Sequence, residues 1–270
     1  MNRVPAVLVL LALAVAGCGG NDDPEAKATP KPWSLVALGD SVAVAFPECD
    51  GCTSFVDLWA KGLSQAAKRR VRVSNHAVPD AEATEVLDQV KGDGATRTAL
   101  KRADLVVVAL GINDTPWNRR DDPCDAAPEY PVIEWGRIGR RCISRVTGEY
   151  EATFDAILDE LDTLRAGKPT VLRVTTVYNA VIGNHVDPSW DSPAALAPSK
   201  AANELFATTQ CRLARHHGGA CVEVHRTFNG PNGSRPAKPF LASDYTHPGP
   251  KGHKAIAHLL LKAGVPEKER

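Results

Sequence analysis

The chain of 270 residues lacks an excess of charge of either sign, because 32 basic side chains balance 32 acidic ones. Nucleic-acid-binding proteins normally carry a basic excess, so this balance argues against nucleic acid as a partner. A disordered chain would combine a large net charge with few apolar residues, whereas 43% of these residues are hydrophobic. The composition therefore predicts a folded protein with a sizeable core.

The sequence also lacks the motifs of several cofactor-dependent sites. No glycine-rich phosphate loop of the P-loop or dinucleotide type occurs. His253 and His258 do not stand in the H-E-x-x-H pattern of zinc proteases. His216 and His217 end a predicted helix, where a positive charge interacts favourably with the helix dipole, so a metal site is the less favoured interpretation. We therefore expect no metal, nucleotide or other cofactor.

The N-terminus has the features of an export signal. Residues 1–17 combine a positive charge at Arg3 with an apolar run from Val4 to Ala16, which is shorter than the about 20 residues of a transmembrane helix. The segment ends in Val15-Ala16-Gly17-Cys18, which resembles the bacterial lipobox, in which the cysteine is lipidated and becomes the new N-terminus. An ordinary signal peptide that happens to precede a cysteine is the alternative.

The segment that follows is predicted to be a flexible tether. Residues 18–32 begin with Cys18 and are otherwise polar and rich in Gly and Pro, with no apolar period. A lipid on Cys18 would hold the protein at the outer face of the bacterial cytoplasmic membrane without embedding it. Because the net charge is zero, we expect attachment to depend on the lipid rather than on surface charge.

Seven cysteines cannot all pair within one chain. If Cys18 carries the lipid, six remain, and an exported protein meets oxidising conditions in which disulfides form. Six cysteines allow fifteen pairings, and we favour neighbours in sequence because each such pair closes one local loop. The favoured pairs are Cys49–Cys52, Cys124–Cys142 and Cys211–Cys221. A redox role for the Cys49-Asp50-Gly51-Cys52 motif is the alternative.

Strands and helices alternate from Trp33 onward. The predicted strands are Ser34–Leu38, Val71–Ser74, Leu105–Leu110, Thr170–Val177 and Cys221–Val224. The predicted helices are Phe55–Ala66, Glu82–Lys91, Gly148–Arg165, Ser199–His216 (capped by Ser199) and Lys251–Ala263. Residues 115–145 and 226–243 are predicted to be loops. The alternation predicts one α/β domain over residues 33–270, with a mostly parallel five-stranded sheet and helices on both faces.

Three short segments with polar side chains fall where such a sheet places its ligand site, at the carboxyl ends of strands. Gly39-Asp40-Ser41 ends the first strand, Gly111-Ile112-Asn113-Asp114 ends the third, and Asp244-Tyr245-Thr246-His247-Pro248 precedes the last helix. A serine needs a base to become a nucleophile, and that base needs an orienting acceptor. Ser41, His247 and Asp244 supply these roles.

These segments, in this order, resemble the sequence blocks of the SGNH (GDSL) hydrolase family, and the resemblance extends from Trp33 to about Val265. It implies a three-layer α/β/α sandwich and a serine esterase or lipase that hydrolyses carboxylic acyl esters. It also implies that Ser41 attacks the ester, His247 acts as base and Asp244 orients the imidazole. The oxyanion hole would comprise the Ser41 backbone N–H, the Asn113 amide and one backbone N–H from a further family block. That block is the second in chain order and lies between the segment of Ser41 and the segment of Asn113.

The second block departs from the family pattern. The family has a Gly about five residues after an Asn on the second strand, and the corresponding count from Asn75 reaches Asp80. A backbone donor does not require Gly, although Gly eases a positive φ, and Asp tolerates one better than most residues. Asp80 is therefore the candidate third donor, unless the register differs by one residue.

Other polar and aromatic residues have structural alternatives. We expect Asp40 to be structural and Asp114 to cap or orient its own loop. Trp117, Trp135 and Trp190 fall in loops near the predicted site, where they would line an acyl or sugar pocket or pack the loops themselves.

Alternatives to hydrolysis also remain open. An acyltransferase or O-acetyl esterase acting on cell-envelope carbohydrate would share the acyl-enzyme, and only the acceptor would distinguish a transferase. A non-catalytic ligand-binding lipoprotein on the same scaffold is the alternative from another class. We expect a monomer whose partners are a small-molecule, lipid or carbohydrate ester and, through the anchor, the membrane.

Overall fold

A computed structural model of the chain describes residues 30–45, 49, 51–127, 132–185, 189–190 and 192–265. The predicted signal sequence, Cys18 and most of the tether lie outside the described residues, so these assignments stay predictions. From Lys31 onward, the described residues belong to one compact unit.

A parallel sheet with helices packed around it makes up the described structure. The strands are β1 (Trp33–Gly39), β2 (Val71–Asn75), β3 (Leu105–Ala109), β4 (Val171–Thr175) and β5 (Ala220–Val222). The α-helices are α1 (Phe55–Ala67), α2 (Ala83–Gly92), α3 (Gly94–Arg102), α4 (Arg140–Leu164), α5 (Pro193–His216), α6 (Val224–Asn229) and α7 (Pro250–Lys262). Short 3-10 helices lie at Ser41–Ala43, Trp135–Arg137 and Lys238–Phe240.

The five strands lie in the order β2-β1-β3-β4-β5, and all four pairings are parallel. Alternate residues of β1 face opposite layers, as the period of a strand requires. Val36 and Leu38 pack with the helices α2 to α5, whereas Leu35 and Ala37 pack with α1, α6 and α7. The predicted α/β class with helices on both faces of a five-stranded sheet is therefore confirmed.

The central strands β1 and β3 are buried in the core and set the position of Asp40 and Ser41. Every residue of β3 is buried, as expected for a strand covered on both faces. Gly39 ends β1 at a φ of 140°, and a Cβ atom built there would lie 1.8 Å from the carbonyl oxygen of Ala109. Only glycine permits this close approach, which carries Asp40 and Ser41 to the carboxyl edge of the sheet.

Two helices begin earlier than the sequence patterns predict. Helix α4 begins at Arg140, so the predicted loop over 115–145 is wrong for its last residues. Helix α5 begins at Pro193 and is capped by Ser192, whose side chain accepts a hydrogen bond from the N–H of Ala194. The helix begins early because a proline, here Pro193, is favourable at the first helical position. It continues past its second proline, Pro198, so the predicted cap Ser199 is buried inside α5.

The remaining differences concern short elements. The predicted break at Asp93-Gly94 is confirmed, but Asp93 also caps the unpredicted helix α3 through bonds from the N–H groups of Ala95 and Thr96. Strand β5 ends at Val222, and the helix α6 follows where the sequence predicts a strand end and a loop. Hydrophobic runs this short do not distinguish a strand from a turn of helix.

Three disulfides tie these elements together. The bonded pairs are Cys49–Cys52, Cys124–Cys142 and Cys211–Cys221, which are the pairs that the sequence favours. The second joins the long loop after β3 to the first turn of α4, and the third joins α5 to β5. No helix in the described part of the chain is both long and apolar enough to cross a membrane.

Candidate active site

Ser41 lies at the start of a 3-10 helix that directly follows β1. Asp40 caps this helix, because its carboxylate accepts a hydrogen bond of 2.9 Å from the N–H of Val42. Asn75, at the end of β2, donates from its side-chain amide to the carbonyl of Ala43 at 2.9 Å. The turn that presents Ser41 is therefore held from its own strand end and from the neighbouring strand.

Ser41, His247 and Asp244 form one continuous hydrogen-bonded chain. Nε2 of His247 lies 2.9 Å from Oγ of Ser41, and Nδ1 of His247 lies 2.5 Å from Oδ2 of Asp244. The structure thus brings together three side chains that the sequence separates by up to 206 positions. In this arrangement His247 can accept the serine proton at Nε2 while its Nδ1–H donates to the carboxylate.

The turn that carries Asp244 and His247 is fixed by local and distant bonds. Oδ1 of Asp244 accepts from the N–H groups of Thr246 at 2.9 Å and His247 at 3.1 Å. The hydroxyl of Tyr178, which follows β4, donates to the carbonyl of Thr246 at 2.7 Å. Tyr178 was not predicted from the sequence as a site residue, although its place just beyond the carboxyl end of a strand was the available signal.

The hydrogen bonds to Asp244 also set its charge. Burial alone would raise the pKa of this carboxyl, but the bonds from the His247 ring and from the backbone N–H groups of Thr246 and His247 outweigh burial. The pKa of Asp244 therefore lies below its ordinary value. An ionised Asp244 favours the tautomer of His247 in which Nδ1 carries the proton.

Three potential oxyanion donors line the same cavity as the Ser41 hydroxyl. The Asn113 amide donates to the carbonyl of Ala81 at 3.0 Å, which leaves its second N–H available. The backbone N–H groups of Ser41 and Asp80 form no hydrogen bond with the described part of the chain. A negatively charged oxygen could therefore accept from all three without displacing an existing bond.

Asp80 adopts the backbone conformation for which the family pattern uses glycine. Its φ is +61°, whereas neither Pro79 nor Ala81 has a positive φ, so the structure favours the register that the count from Asn75 gives. Aspartate is among the few residues that enter the left-handed region without a large cost. The departure at this position therefore preserves the turn and adds a carboxylate to the cavity wall.

Asp40 and Asp114 form a buried acidic pair beneath the site. Burial is the main reason that the pKa of each carboxyl lies at about 7, and the charge of Asp40 contributes to the raised pKa of Asp114. Both oxygens of Asp114 accept from the N–H of Ala83, at 2.9 and 3.2 Å. Asp114 thus caps the first turn of α2 and does not only order its own loop. It thereby ties the segment Gly111-Ile112-Asn113-Asp114 to the start of α2.

The cavity in front of Ser41 has a volume of about 710 Å³. Its walls include Trp117 and Trp190, as one of the two interpretations of the loop tryptophans predicts. Trp135 does not line it but packs against Trp117 with ring centroids 5.5 Å apart.

The charged residues that line the cavity are Asp80, Glu82, Arg119, Arg120 and Asp122. Of these five, Asp80 alone was predicted from the sequence as a site residue, although the adjacent Arg119 and Arg120 follow shortly after Gly111-Ile112-Asn113-Asp114.

The histidines outside the triad are in other environments. His217 lies between Asp155 and Asp162 of α4, to which its ring nitrogens bond at 2.9 and 2.6 Å. In the described part of the chain, one group of three potential metal ligands lies close together, Cys49, Cys52 and His253. The two sulfurs are bonded to each other, so neither is a thiolate ligand in this state.

Comparison with known proteins identifies the family of the chain. The model of the GDSL-like lipase/acylhydrolase family matches residues 37–255. No curated protein matches the chain. The lipase Lip_vut3 from a goat rumen metagenome superposes with a TM-score of 0.66 at 17% identity, covering 86% of this chain and 97% of that one.

Two further solved structures share the fold at similarly low identity. A catalytic mutant of an acetylxylan esterase from Geobacillus stearothermophilus gives a TM-score of 0.57 at 22% identity, with 86% of this chain and 93% of that one covered. A lipase/acylhydrolase from Enterococcus faecalis gives 0.54 at 15% identity, with 85% and 94% covered. Because the family model spans most of its length, the chain belongs to the GDSL-like lipase/acylhydrolase family and is a serine ester hydrolase of the SGNH type.

Proposed function

We propose that the protein hydrolyses carboxylic acyl esters through an acyl-enzyme formed on Ser41. The observation that carries this proposal is the unbroken hydrogen-bonded chain from the Ser41 hydroxyl through His247 to Asp244. Ser41 Oγ attacks the ester carbonyl carbon while Nε2 of His247 takes the hydroxyl proton. Asp244 remains ionised and stabilises the imidazolium that forms.

The same groups complete acylation of Ser41 and then release the acyl group. His247 gives its proton to the leaving alcohol, and the acyl group stays on Ser41. A water molecule then attacks the acyl-enzyme while His247 takes its proton, and collapse of the second intermediate releases the carboxylic acid as His247 returns that proton to Oγ of Ser41. During both steps the negative oxygen is held by the N–H groups of Ser41 and Asp80 and by the Asn113 amide.

The cavity favours esters of a polar alcohol over esters buried in a lipid phase. Its wall combines the indole rings of Trp117 and Trp190 with several charged groups. Aromatic faces and hydrogen-bonding groups together suit a hydroxylated ring or chain. One of the structural relatives is an acetylxylan esterase, so O-acyl esters of carbohydrate are the substrate class that we propose to examine first.

Transfer of the acyl group to a second carbohydrate is the alternative within this chemistry. The acyl-enzyme would be the same, and an acceptor hydroxyl would replace water in the second step. Product analysis with an added sugar acceptor separates the two, because a transferase yields acylated acceptor in preference to free acid.

We also propose that the enzyme acts outside the cytoplasm, anchored through a lipid on Cys18. Two features support this location. The sequence ends its apolar leader in a lipobox-like motif, and the folded domain holds three disulfides, which persist in oxidising compartments.

The mechanism is tested by steady-state hydrolysis of 4-nitrophenyl acetate. We expect Ser41→Ala and His247→Ala each to reduce kcat by about 10³-fold or more, and the double variant to be no worse than either single variant. Residues that act as one unit show this lack of additivity. Additive losses, or turnover that persists in Ser41→Ala, would remove Ser41 from the nucleophilic role.

A further inference from the structure

In the described part of the chain, each charged side chain that lines the catalytic cavity, other than that of Asp80, has an ion pair or accepts backbone hydrogen bonds. Arg119 bonds Asp121 and Glu149, with both contacts at 2.6 Å. Arg120 bonds Glu82 at 3.1 Å. These ion pairs neutralise both arginines and one acidic residue of the cavity wall.

The two remaining acidic groups of the wall differ from each other. The Asp122 carboxylate accepts hydrogen bonds from the backbone N–H groups of Ala126 at 2.7 Å and Ala127 at 2.9 Å. The Asp80 carboxylate has neither a hydrogen bond nor an ion pair with the described part of the chain, and the residue is exposed. Asp80 therefore presents an uncompensated negative charge to whatever enters the cavity.

The position of this charge relative to the reaction follows from the backbone. The N–H of Asp80 is one of the three donors proposed for the oxyanion, and the carboxylate belongs to the same residue. An ester whose carbonyl oxygen is bound there lies within reach of the Asp80 side chain. The acyl portion of a simple ester carries no hydrogen-bond donor, whereas the alcohol portion often carries hydroxyl or ammonium groups.

We propose that Asp80 forms a subsite that selects the alcohol portion of the ester by charge. The carboxylate accepts hydrogen bonds from hydroxyl or ammonium groups, attracts a cationic alcohol portion and repels an anionic one. This inference rests on the proposed function, because it concerns the ester bound at Ser41. The aspartate that replaces the glycine of the family pattern thus retains the backbone donor and adds substrate discrimination.

The test compares three acetyl esters that differ in the charge of the alcohol portion: glycerol monoacetate (neutral), acetylcholine (cationic) and acetoxyacetate (anionic). The variant Asp80→Asn removes the charge at nearly constant shape, and asparagine also tolerates a positive φ. Relative to glycerol monoacetate, we expect Asp80→Asn to raise kcat/KM for acetoxyacetate about fivefold and to lower it for acetylcholine by a similar factor. A unit charge about 4 Å away in water has an effect of this size.

The matched control is Asp122→Asn, which removes the same charge from the same cavity wall at a residue whose φ is also positive. We expect it to change these ratios less than twofold, because the backbone N–H groups already compensate that carboxylate. Asp80→Gly is a second charge-free variant that fits the backbone and should reproduce the ratios of Asp80→Asn. Added salt should weaken the discrimination of the wild type but not that of either Asp80 variant.

The possible results distinguish failure of the Asp80 subsite from failure of the proposed ester hydrolysis. Hydrolysis of all three esters with ratios unchanged in both Asp80 variants would overturn the subsite and leave the proposed function intact. Absence of hydrolysis of all three esters by the wild type would overturn both. Shifted ratios in both Asp80 variants, with the Asp122 control unchanged, would support the subsite.

Discussion

The amide of Asn113 has two N–H groups. One donates to the carbonyl of Ala81 and so holds the turn that follows β2, and the other is the donor that we propose for the oxyanion. Loss of one oxyanion donor typically lowers kcat by about 10²–10³-fold. The side chain is therefore expected to contribute more to the rate than to folding.

We predict that Asn113→Ala lowers kcat for 4-nitrophenyl acetate by about 10²–10³-fold, with little change in the thermal unfolding midpoint. The control is Asn118→Ala, because Asn118 lines the same cavity and its amide donates to the carbonyl of Ile112 at 2.9 Å, but it has no proposed oxyanion role. Full activity in Asn113→Ala, or an equal loss in the control, would remove Asn113 from the oxyanion hole.

Helices α4 and α5 are linked by a histidine between two carboxylates. His217 follows α5 and bonds Asp155 and Asp162 of α4. Burial alone would lower the pKa of His217, but the bonds and charges of the two aspartates outweigh it, and the pKa lies above its ordinary value. A raised pKa means that the folded protein binds the proton more tightly than the unfolded chain does.

The stabilisation from His217 should therefore be fully present below its unfolded pKa, about 6.5, and should disappear as pH rises through the folded pKa. Chemical unfolding of wild type and His217→Gln across this range measures the effect. The difference in free energy of unfolding should be largest at low pH and shrink above neutrality. His216→Gln alters the exposed neighbouring histidine and is expected to show no such trend. A pH-independent difference for His217→Gln would contradict the ionic role.

The sequence predicts the buried strands and the polar segments of the candidate site well, because their signals are local. Buried runs such as that of β3 indicate a parallel strand, and the polar blocks at strand ends converge because parallel strands end at one edge. The start of α4 carries no such signal, since its first turn is polar and is tied down by the disulfide at Cys142. The contact from Tyr178 to Thr246 spans 68 positions, and only the folded chain brings the two together.

At the scale of the whole molecule, the proposed lipid anchor would hold the catalytic domain at the membrane. We predict that Cys18→Ser moves the protein from the membrane fraction to the soluble fraction without changing kcat of the domain. The physical reason is that a chain with no net charge has no electrostatic attraction to an anionic membrane that would replace the lipid. Fractionation identical to that of the wild type would contradict the lipoprotein assignment.

The central claim, that Ser41 is an activated nucleophile, is tested most directly by covalent labelling with a fluorophosphonate probe. The purified wild-type protein should react and carry one adduct, which peptide mass spectrometry should place on Ser41. Ser41→Ala should remain unlabelled under the same conditions. An unlabelled wild type, or equal labelling of Ser41→Ala, would contradict the claim, and the first of these results would favour a ligand-binding protein on a hydrolase scaffold.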